Sequence, residues 1–368
     1  MTHRPEDARF LALALSLGRR GQGRTWPNPA VGCVIVKDGI VLGRGTTAPG
    51  GRPHAEPQAL VQAGAAARGA TAYVSLEPCS HHGKTPPCAE ALIAAGIARV
   101  VAPIADIDPN VDGRGFAMLR AAGVEVSTGL LSDEALADHE GFFLNRAQGR
   151  PRVTLKLALS LDGRIATASG ESQWITGPEA RRAVHAMRAR HDAVMVGAGT
   201  ARIDDPSLTV RDMGMDHQPV RVVVSRRIDL PLLGQLARTA KQVPVWICHG
   251  RDADPALIQA WEGLGARLFS CELMGRQLDI SSVLKELGTA GLTRVFCEGG
   301  GALAATLLGA DLVDELVVMS AGVVLGAEGR PGIGAMGIDR LAEAPRMDLA
   351  ELRQLGPDVM TRWLRPRS

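Results

Sequence analysis

The sequence predicts a two-domain α/β protein. Three observations carry that reading: 368 residues with 46% apolar content, short apolar strands alternating with helical stretches, and a polar break carrying Gly149 and Pro151. A chain this long exceeds what one core usually supports, and this apolar fraction can fill two. The segment "NRAQGRPRV" precedes a fresh apolar run, so the boundary is expected near Gly149, giving domains over residues 1–148 and 149–368.

In the first domain, "VGCVIVKDGIVLGRG" sets Asp38-Gly39 between two apolar runs, the strongest short signal for a hairpin. "HAEPQALVQAGAAA" reads as a helix and "TAYVSL" as a strand. A short helix from about Pro87, a strand "RVVAPI", a helix over 115–122 and a strand "VEVST" follow, with boundaries marked by Gly, Pro or Asp. The second domain restarts with the strand "RVTLKLAL" and the helix "GPEARRAVHAMRAR". Strands "DAVMVG", "VRVVVS", "VPVWICH" and "RVFCEGGG" come next, then a helix "ALAATLLG" and a strand "DELVVMS". This alternation predicts a mostly parallel sheet whose ligands sit at the strand carboxyl ends.

Charge excludes one class of partner. A net charge of +2 from 41 basic and 39 acidic residues gives no field that would attract nucleic acid. The apolar run "FLALALSL" is only eight residues long and lacks signal-peptide flanks; no run reaches the roughly eighteen needed to span a bilayer. The expected location is the cytoplasm, with no membrane partner. Six cysteines in such a chain do not suggest a disulfide framework, because cytosolic thiols are held reduced. Metal binding or burial remains for each.

The concentrated chemistry lies in two strings, "PHAEPQ" from Pro53 and "PCSHHGKTPPC" from Pro78. A catalytic zinc site needs three protein ligands and one open position for water. His54, Cys79 and Cys88 supply one nitrogen and two thiolates. Glu56, two residues after His54 at the opening turn of a helix, can face the metal-bound water without ligating. This is the zinc-deaminase arrangement, in which the metal acidifies water and a separate Glu moves protons. Cys88 follows Pro86-Pro87 at a helix start, where backbone amides favour a thiolate. The remaining cysteines, Cys33, Cys248, Cys271 and Cys297, fall mostly on predicted strands and read as buried thiols.

In the second domain, "EGGGALAATLL" after a strand suits either of two uses. It could cradle a phosphate at a helix amino terminus, or pack a helix closely on a strand through small residues. It matches neither a Gly-x-Gly-x-x-Gly fingerprint nor a Walker loop. Lys156 interrupts an apolar strand, where its charge is costly unless paired.

The strings "RTWPNPAVGCVIV", "HAE", "PCSHHGKTPPC", "LKLALSLDGRIATASGESQWITG" and "GTARIDDPSLTVR" together resemble the bifunctional riboflavin-biosynthesis deaminase-reductases, over nearly the whole chain. Eight residues separate Cys79 from Cys88, against two in most deaminases, and this longer insert is the rule in that family. The resemblance implies an amino-terminal three-layer domain like cytidine deaminase and a carboxy-terminal domain like dihydrofolate reductase. It also implies Zn2+ and NADPH as cofactors, a phosphoribosyl-pyrimidine substrate and a homo-oligomer, dimer or tetramer. Two reactions are expected: hydrolytic removal of the 2-amino group of 2,5-diamino-6-(5-phosphoribosylamino)pyrimidin-4(3H)-one, then reduction of the ribosyl group to ribityl.

Residue by residue, the resemblance places Asn28 and Lys84 against the deaminase substrate. His81 and His82 are either pocket residues of the same loop or solvent-facing. Ala158, Trp174, Thr200 and Asp204 fall where the family contacts NADPH, although Trp174 could equally be a core residue. Gly300, Gly301, Ala302, Leu303, Ala304, Ala305 and Thr306 are expected along the cofactor pyrophosphate. Ser172, Arg188, Leu208 and Arg211 fall at the substrate, since guanidinium forks match phosphate oxygens, and Glu298 turns toward it too. Lys156 is the expected catalytic group of the reductase, polarising or protonating the opened sugar. Four departures stand out: Thr47 where His is usual, Pro57-Gln58 for Val with Asn or His, Gly301-Ala302 for Pro-Thr, and Ser225-Arg226 for Asp-Ser. From the last, Arg226 is expected at the cofactor's 2′-phosphate.

Two other readings compete. One is a nucleoside or tRNA deaminase with an unrelated second domain. The other is a non-catalytic module whose zinc takes His81 or His82 as a fourth ligand.

Overall fold

The computed structural model describes residues 3–82, 86–108 and 112–366, and it divides into two units, Met1–Gly149 and Arg150–Ser368. In the first, helix α1 (Asp7–Arg19) precedes the hairpin β1 (Gly32–Lys37) and β2 (Ile40–Thr46). Then come α2 (Ala55–Ala63), β3 (Thr71–Val74), α3 (Cys88–Ala94), β4 (Arg99–Val101), α4 (Arg114–Ala121), β5 (Glu125–Ser127) and α5 (Ser132–Gln148). The strands form one sheet in the order β2-β1-β3-β4-β5, antiparallel around β1 and parallel from β3 onward. The predicted hairpin turn is present, with both Asp38 (φ 50°) and Gly39 (φ 76°) in the left-handed region that a two-residue turn demands.

Alternation along β1 decides the layers. Cys33 and Ile35 join Ala55, Ala59, Leu92 and Leu119 in one core, whereas Val34 and Val36 join Phe10, Leu11 and Ala14 in another. Helix α1 therefore covers one face and α2, α3 and α4 the other, giving three layers. The buried carboxylate of Asp7 opens α1 and grips the Arg99 guanidinium at 2.7 and 2.8 Å, tying α1 to β4. Neither α1 nor α5 is apparent in the sequence pattern. Residues 145–148, which look like linker, are the last turn of α5; Gly149 (φ 67°) ends it, donating to the Asn145 carbonyl.

The second unit runs β6 (Arg152–Ser160), β7 (Arg164–Ala166), α6 (Pro178–Arg188), β8 (Ala193–Gly197), α7 (Ala198–Asp204), β9 (Val220–Val224), α8 (Gln235–Arg238) and β10 (Val245–Gly250). It continues with α9 (Pro255–Gly263), β11 (Arg267–Cys271), the small ribbon β12 (Leu273–Met274) and β13 (Gln277–Leu278), α10 (Ile280–Thr289), β14 (Arg294–Cys297) and α11 (Gly301–Gly309). Strands β15 (Glu315–Ala321), β16 (Arg330–Pro331), β17 (Asp348–Leu355) and β18 (Asp358–Leu364) complete it. Nine strands make one sheet, β11-β10-β9-β8-β14-β6-β15-β18-β17. It is parallel from β11 to β15 and antiparallel at β18 and β17. The parallel strands are buried on both faces, which is why β8, β9 and β14 read as apolar runs rather than alternating. The four cysteines outside the zinc motif are buried on β1, β10, β11 and β14.

Candidate active sites

His54 is the N-cap residue of α2 and Glu56 lies in that helix's first turn. Helix α2 sits close against β2 because glycines face it: a Cβ on Gly43 or Gly45 would come within 2.1 Å of the Ala59 carbonyl oxygen or 2.0 Å of that of Ala55. Any side chain there would push the helix, and His54 with it, off the sheet. Cys88 is the first residue of α3, and its N–H donates to Cys79 Sγ at 3.3 Å. His54 Nδ1 stands 3.6 Å from Cys79 Sγ and 3.3 Å from Cys88 Sγ. The three donor atoms lie within 4.8 Å of one another, and they form the metal-ligating cluster among the described residues.

Electrostatics suit a cation there. The Cys79 thiol is pulled down to about 4, first by its hydrogen bond with the Cys88 thiol and then, against burial, by His54 and the Cys88 amide. Cys88 is pushed upward, by Cys79 and by burial. One sulfur thus holds charge readily, and a bound cation is what would favour the thiolate of the other. Glu56 is buried, and its Oε2 has no hydrogen-bond partner among the described residues. Burial, then the Cys79 charge, raises its pKa. One nitrogen, two sulfurs and an unpartnered carboxylate oxygen beside them fit a zinc site with its fourth position left to water.

A cavity of about 180 Å³ opens onto this cluster, lined among others by Asn28, Thr47, Glu56, His81 and Asp106. The two loop histidines separate: His81 lines the cavity, whereas exposed His82 pairs with Glu90 of α3 at 3.4 Å. Lys84 lies outside the described residues. Asn28 donates to the Gly51 carbonyl at 2.9 Å, which fixes its amide at the cavity wall. Thr47 accepts the Val31 N–H at 3.0 Å, so it braces backbone at the cavity wall. Gln58 donates to the carbonyls of His54 (2.9 Å) and Pro53 (3.2 Å) and to that of Thr46, holding the turn that presents the ligand.

One residue escaped the sequence reading. Buried Glu77 accepts the N–H groups of Asp106 (3.0 Å), Gly113 (3.0 Å) and Phe116 (3.1 Å), fastening the segment that contributes Asp106 and Asp108 to the cavity. Burial, with Asp108 and Glu77 nearby, raises Asp106 to about 6. The only local signal for Glu77 is its place two residues before Cys79; its partners are remote in sequence.

The second unit carries a larger cleft, about 2020 Å³. Lys156, Ala158, Ser172, Trp174, Arg188, Thr200, Asp204, Leu208, Arg211 and Glu298 all line it. Trp174 is 66% exposed with Arg181 over its ring at 4.7 Å, so it is a cleft wall and not core. Glu298, at the end of β14, meets Arg188 at 2.5 Å and Lys156 at 3.9 Å. Burial works to raise the Glu298 pKa, but these two cations outweigh it and the net direction is down. Burial lowers Lys156 against the pull of Glu298, which makes its proton easier to transfer.

The glycines of the turn differ in their surroundings. A Cβ on Gly301 would strike the Pro331 carbonyl oxygen at 2.7 Å, so that glycine serves packing. Gly300, the N-cap of α11, lines the cleft opposite Thr200 with room to spare. Gly301, Ala302, Leu303, Ala305 and Thr306 also line it, but Ala304 is fully buried and faces the core. Arg226, expected at the cofactor's 2′-phosphate, is engaged elsewhere. It does not line the cleft; its guanidinium is committed to Asp252 (2.6 Å) and to the Arg276 carbonyl (2.7 Å).

Comparison with known proteins finds a family for each unit. The family model "Cytidine and deoxycytidylate deaminase zinc-binding region" matches residues 4–104, and "RibD C-terminal domain" matches residues 151–361. Riboflavin biosynthesis protein RibD of Escherichia coli (strain K12) is 43% identical, over 96% of this chain and 98% of its own. The crystal form 1 structure of Acinetobacter baumannii RibD superposes with a TM-score of 0.87 at 38% identity, covering 98% of this chain and 99% of that one. A diaminohydroxyphosphoribosylaminopyrimidine deaminase/5-amino-6-(5-phosphoribosylamino)uracil reductase from Thermotoga maritima gives 0.85 at 32% identity, with 98% and 99% covered. With a zinc-deaminase unit and a RibD-type reductase unit in one chain, and relatives matched end to end, the protein belongs to the RibD family of riboflavin biosynthesis proteins.

Proposed function

We infer that the chain catalyses two consecutive steps of riboflavin biosynthesis. The first is hydrolytic deamination of 2,5-diamino-6-(5-phosphoribosylamino)pyrimidin-4(3H)-one; the second is NADPH-dependent reduction of the ribosyl to the ribityl side chain. The observation that carries the reading is the convergence of His54, Cys79 and Cys88 within 4.8 Å beside the unpartnered Glu56 Oε2.

Zinc bound by His54, Cys79 and Cys88 would acidify a water molecule. Glu56 is the proton carrier, for which its raised pKa suits it: it takes a proton as water adds and returns it to the departing amine. Asn28 and His81 position the pyrimidine. In the second unit NADPH supplies hydride. Gly300 and the amino terminus of α11 receive the cofactor's diphosphate, and Ala158, Trp174, Thr200 and Asp204 complete its seat. Arg188, Arg211, Ser172 and Leu208 hold the sugar phosphate, while Lys156, kept in place by Glu298, donates a proton to the opened sugar oxygen as hydride arrives. A cytoplasmic location and a homo-oligomer accompany this proposal; light scattering on the intact protein measures the latter.

The test is a time course on the diaminopyrimidine with and without NADPH. Ammonia release in both reactions, and ribityl product only with NADPH, is the expected result. Deamination of cytidine or RNA but not of the diaminopyrimidine would instead favour the nucleoside or tRNA deaminase.

A further inference from the structure

The last turn of α6 presents two side chains to the cleft, Arg188 and, three residues earlier, His185. His185 makes a contact no substrate argument requires: its Nδ1 accepts the backbone N–H of Arg211 at 3.2 Å. Only an unprotonated Nδ1 can accept, so the ring proton is on Nε2. Arg211 follows an irregular segment, and its side chain reaches Ser207 Oγ at 3.0 Å. Arg188 also holds that segment, donating to the Thr209 carbonyl at 2.8 Å. Two adjacent side chains of one helix therefore grip the backbone at positions 209 and 211.

We propose that His185 is a positioning residue of the reductase: its neutral imidazole fixes the Arg211 backbone to α6, setting the spacing of Arg211 and Arg188 and so the grip on the substrate's phosphate. The proposal rests on the reading above that Arg211 contacts that phosphate. It implies a switch. Protonating Nδ1 turns the acceptor into a donor facing another donor, and the contact is lost. The groups facing the ring are Arg188 on its own helix, Arg211 and Asp212 on the segment it holds, and Glu298 at the end of β14. Burial first, then the two arginines, favours the neutral ring against the two carboxylates. The hold is accordingly intact through neutral pH and fails only as pH falls below the ordinary imidazole range of about 6.5.

Steady-state kinetics of the intact protein on the deaminated uracil substrate, at saturating NADPH and across about pH 5 to 8, test this. His185→Ala should raise KM for that substrate about fivefold with kcat little changed, as for loss of one hydrogen bond that orients a charged group. His185→Gln offers a side-chain carbonyl that does not titrate. It should restore KM and abolish the part of the acid-side rise in KM that the parent enzyme shows beyond the substrate phosphate's own titration near pH 6. A normal KM in His185→Ala, or an acid-side rise in His185→Gln identical to that of the parent, overturns the proposal. Arg211→Ala separates the two layers. If it leaves KM unchanged, the phosphate assignment itself fails; if it raises KM while His185→Ala does not, the assignment stands and the role of His185 falls.

Discussion

The two sites are built on opposite plans. In the first unit a few residues from short strings, 54–56 and 79–88, meet at a cavity of about 180 Å³, and the chemistry resides in side chains of rare reactivity. In the second, a cleft of about 2020 Å³ draws its wall from segments scattered between Lys156 and Met336, mixing a few charged side chains with glycines and other small residues. A metal site must supply specific donor atoms at bonding distance, so it concentrates recognisable residue types. A cofactor cleft has only to offer surface, amides and a few charges, which many sequences can do.

That contrast can be broken by experiment, and removing the metal has the largest expected effect. A chelator should abolish ammonia release while leaving NADPH oxidation on the deaminated substrate intact; parallel loss of both would mean that the units depend on each other. Next, Glu56→Gln should cut deamination by about 10²- to 10⁴-fold with zinc still bound and the reductase unaffected. Zinc content and ammonia assays decide this, and an active variant would leave Glu56 without its role.

A smaller effect tests the scaffold of the first unit. Arg99→Met leaves the Asp7 carboxylate buried without its partner, and urea unfolding of the deaminase unit should register a loss of about 3–5 kcal/mol. Although burial opposes it, the Arg99 contact holds Asp7 down at about 2. Its contribution is therefore complete above the ordinary carboxylate range and is lost as pH falls through about 2. A stability of the parent that declines through neutral pH would need another source. The smallest effect is expected from Arg226→Ala: an unfolding midpoint hardly moved, as for exposed ion pairs, and NADPH affinity unchanged. A selective loss of NADPH over NADH in titrations would return Arg226 to the cofactor.

The same contrast governs what the sequence revealed. His54, Cys79, Cys88 and Glu56 are legible because their types and order carry the chemistry, and the Asp38-Gly39 hairpin because a two-residue left-handed turn between apolar runs favours that pair. Helix α5 was not, since its buried residues Ala135, His139, Phe142 and Phe143 are mixed with small and polar ones and its end resembles a linker. Helices α9 and α10 do carry local start signals: Asp254 and Asp279 cap them, accepting the N–H groups of Ala256 and Ser281. The edge hairpin β17-β18 lacks a clean alternation because most of β17 is exposed. Glu77, Gln58 and Thr47 act through backbone groups brought near by folding, and Arg226 through Asp252, twenty-six residues away. No local pattern encodes such partners.

The Asp7–Arg99 pair also sets where this protein can be cut. Arg99 is fully buried, and besides Asp7 it holds Glu125 and Ser127 of β5, while Asp7 also receives the Tyr73 hydroxyl. Three neighbouring strands thus depend on one carboxylate in the first turn of the first helix. A deaminase fragment ending at Gly149 keeps that network whole, but one trimmed to begin after Asp7 would leave the buried guanidinium with only the exposed carboxylate of Glu125 and the Ser127 hydroxyl. For anyone separating the two activities, the amino-terminal border must therefore lie ahead of Asp7.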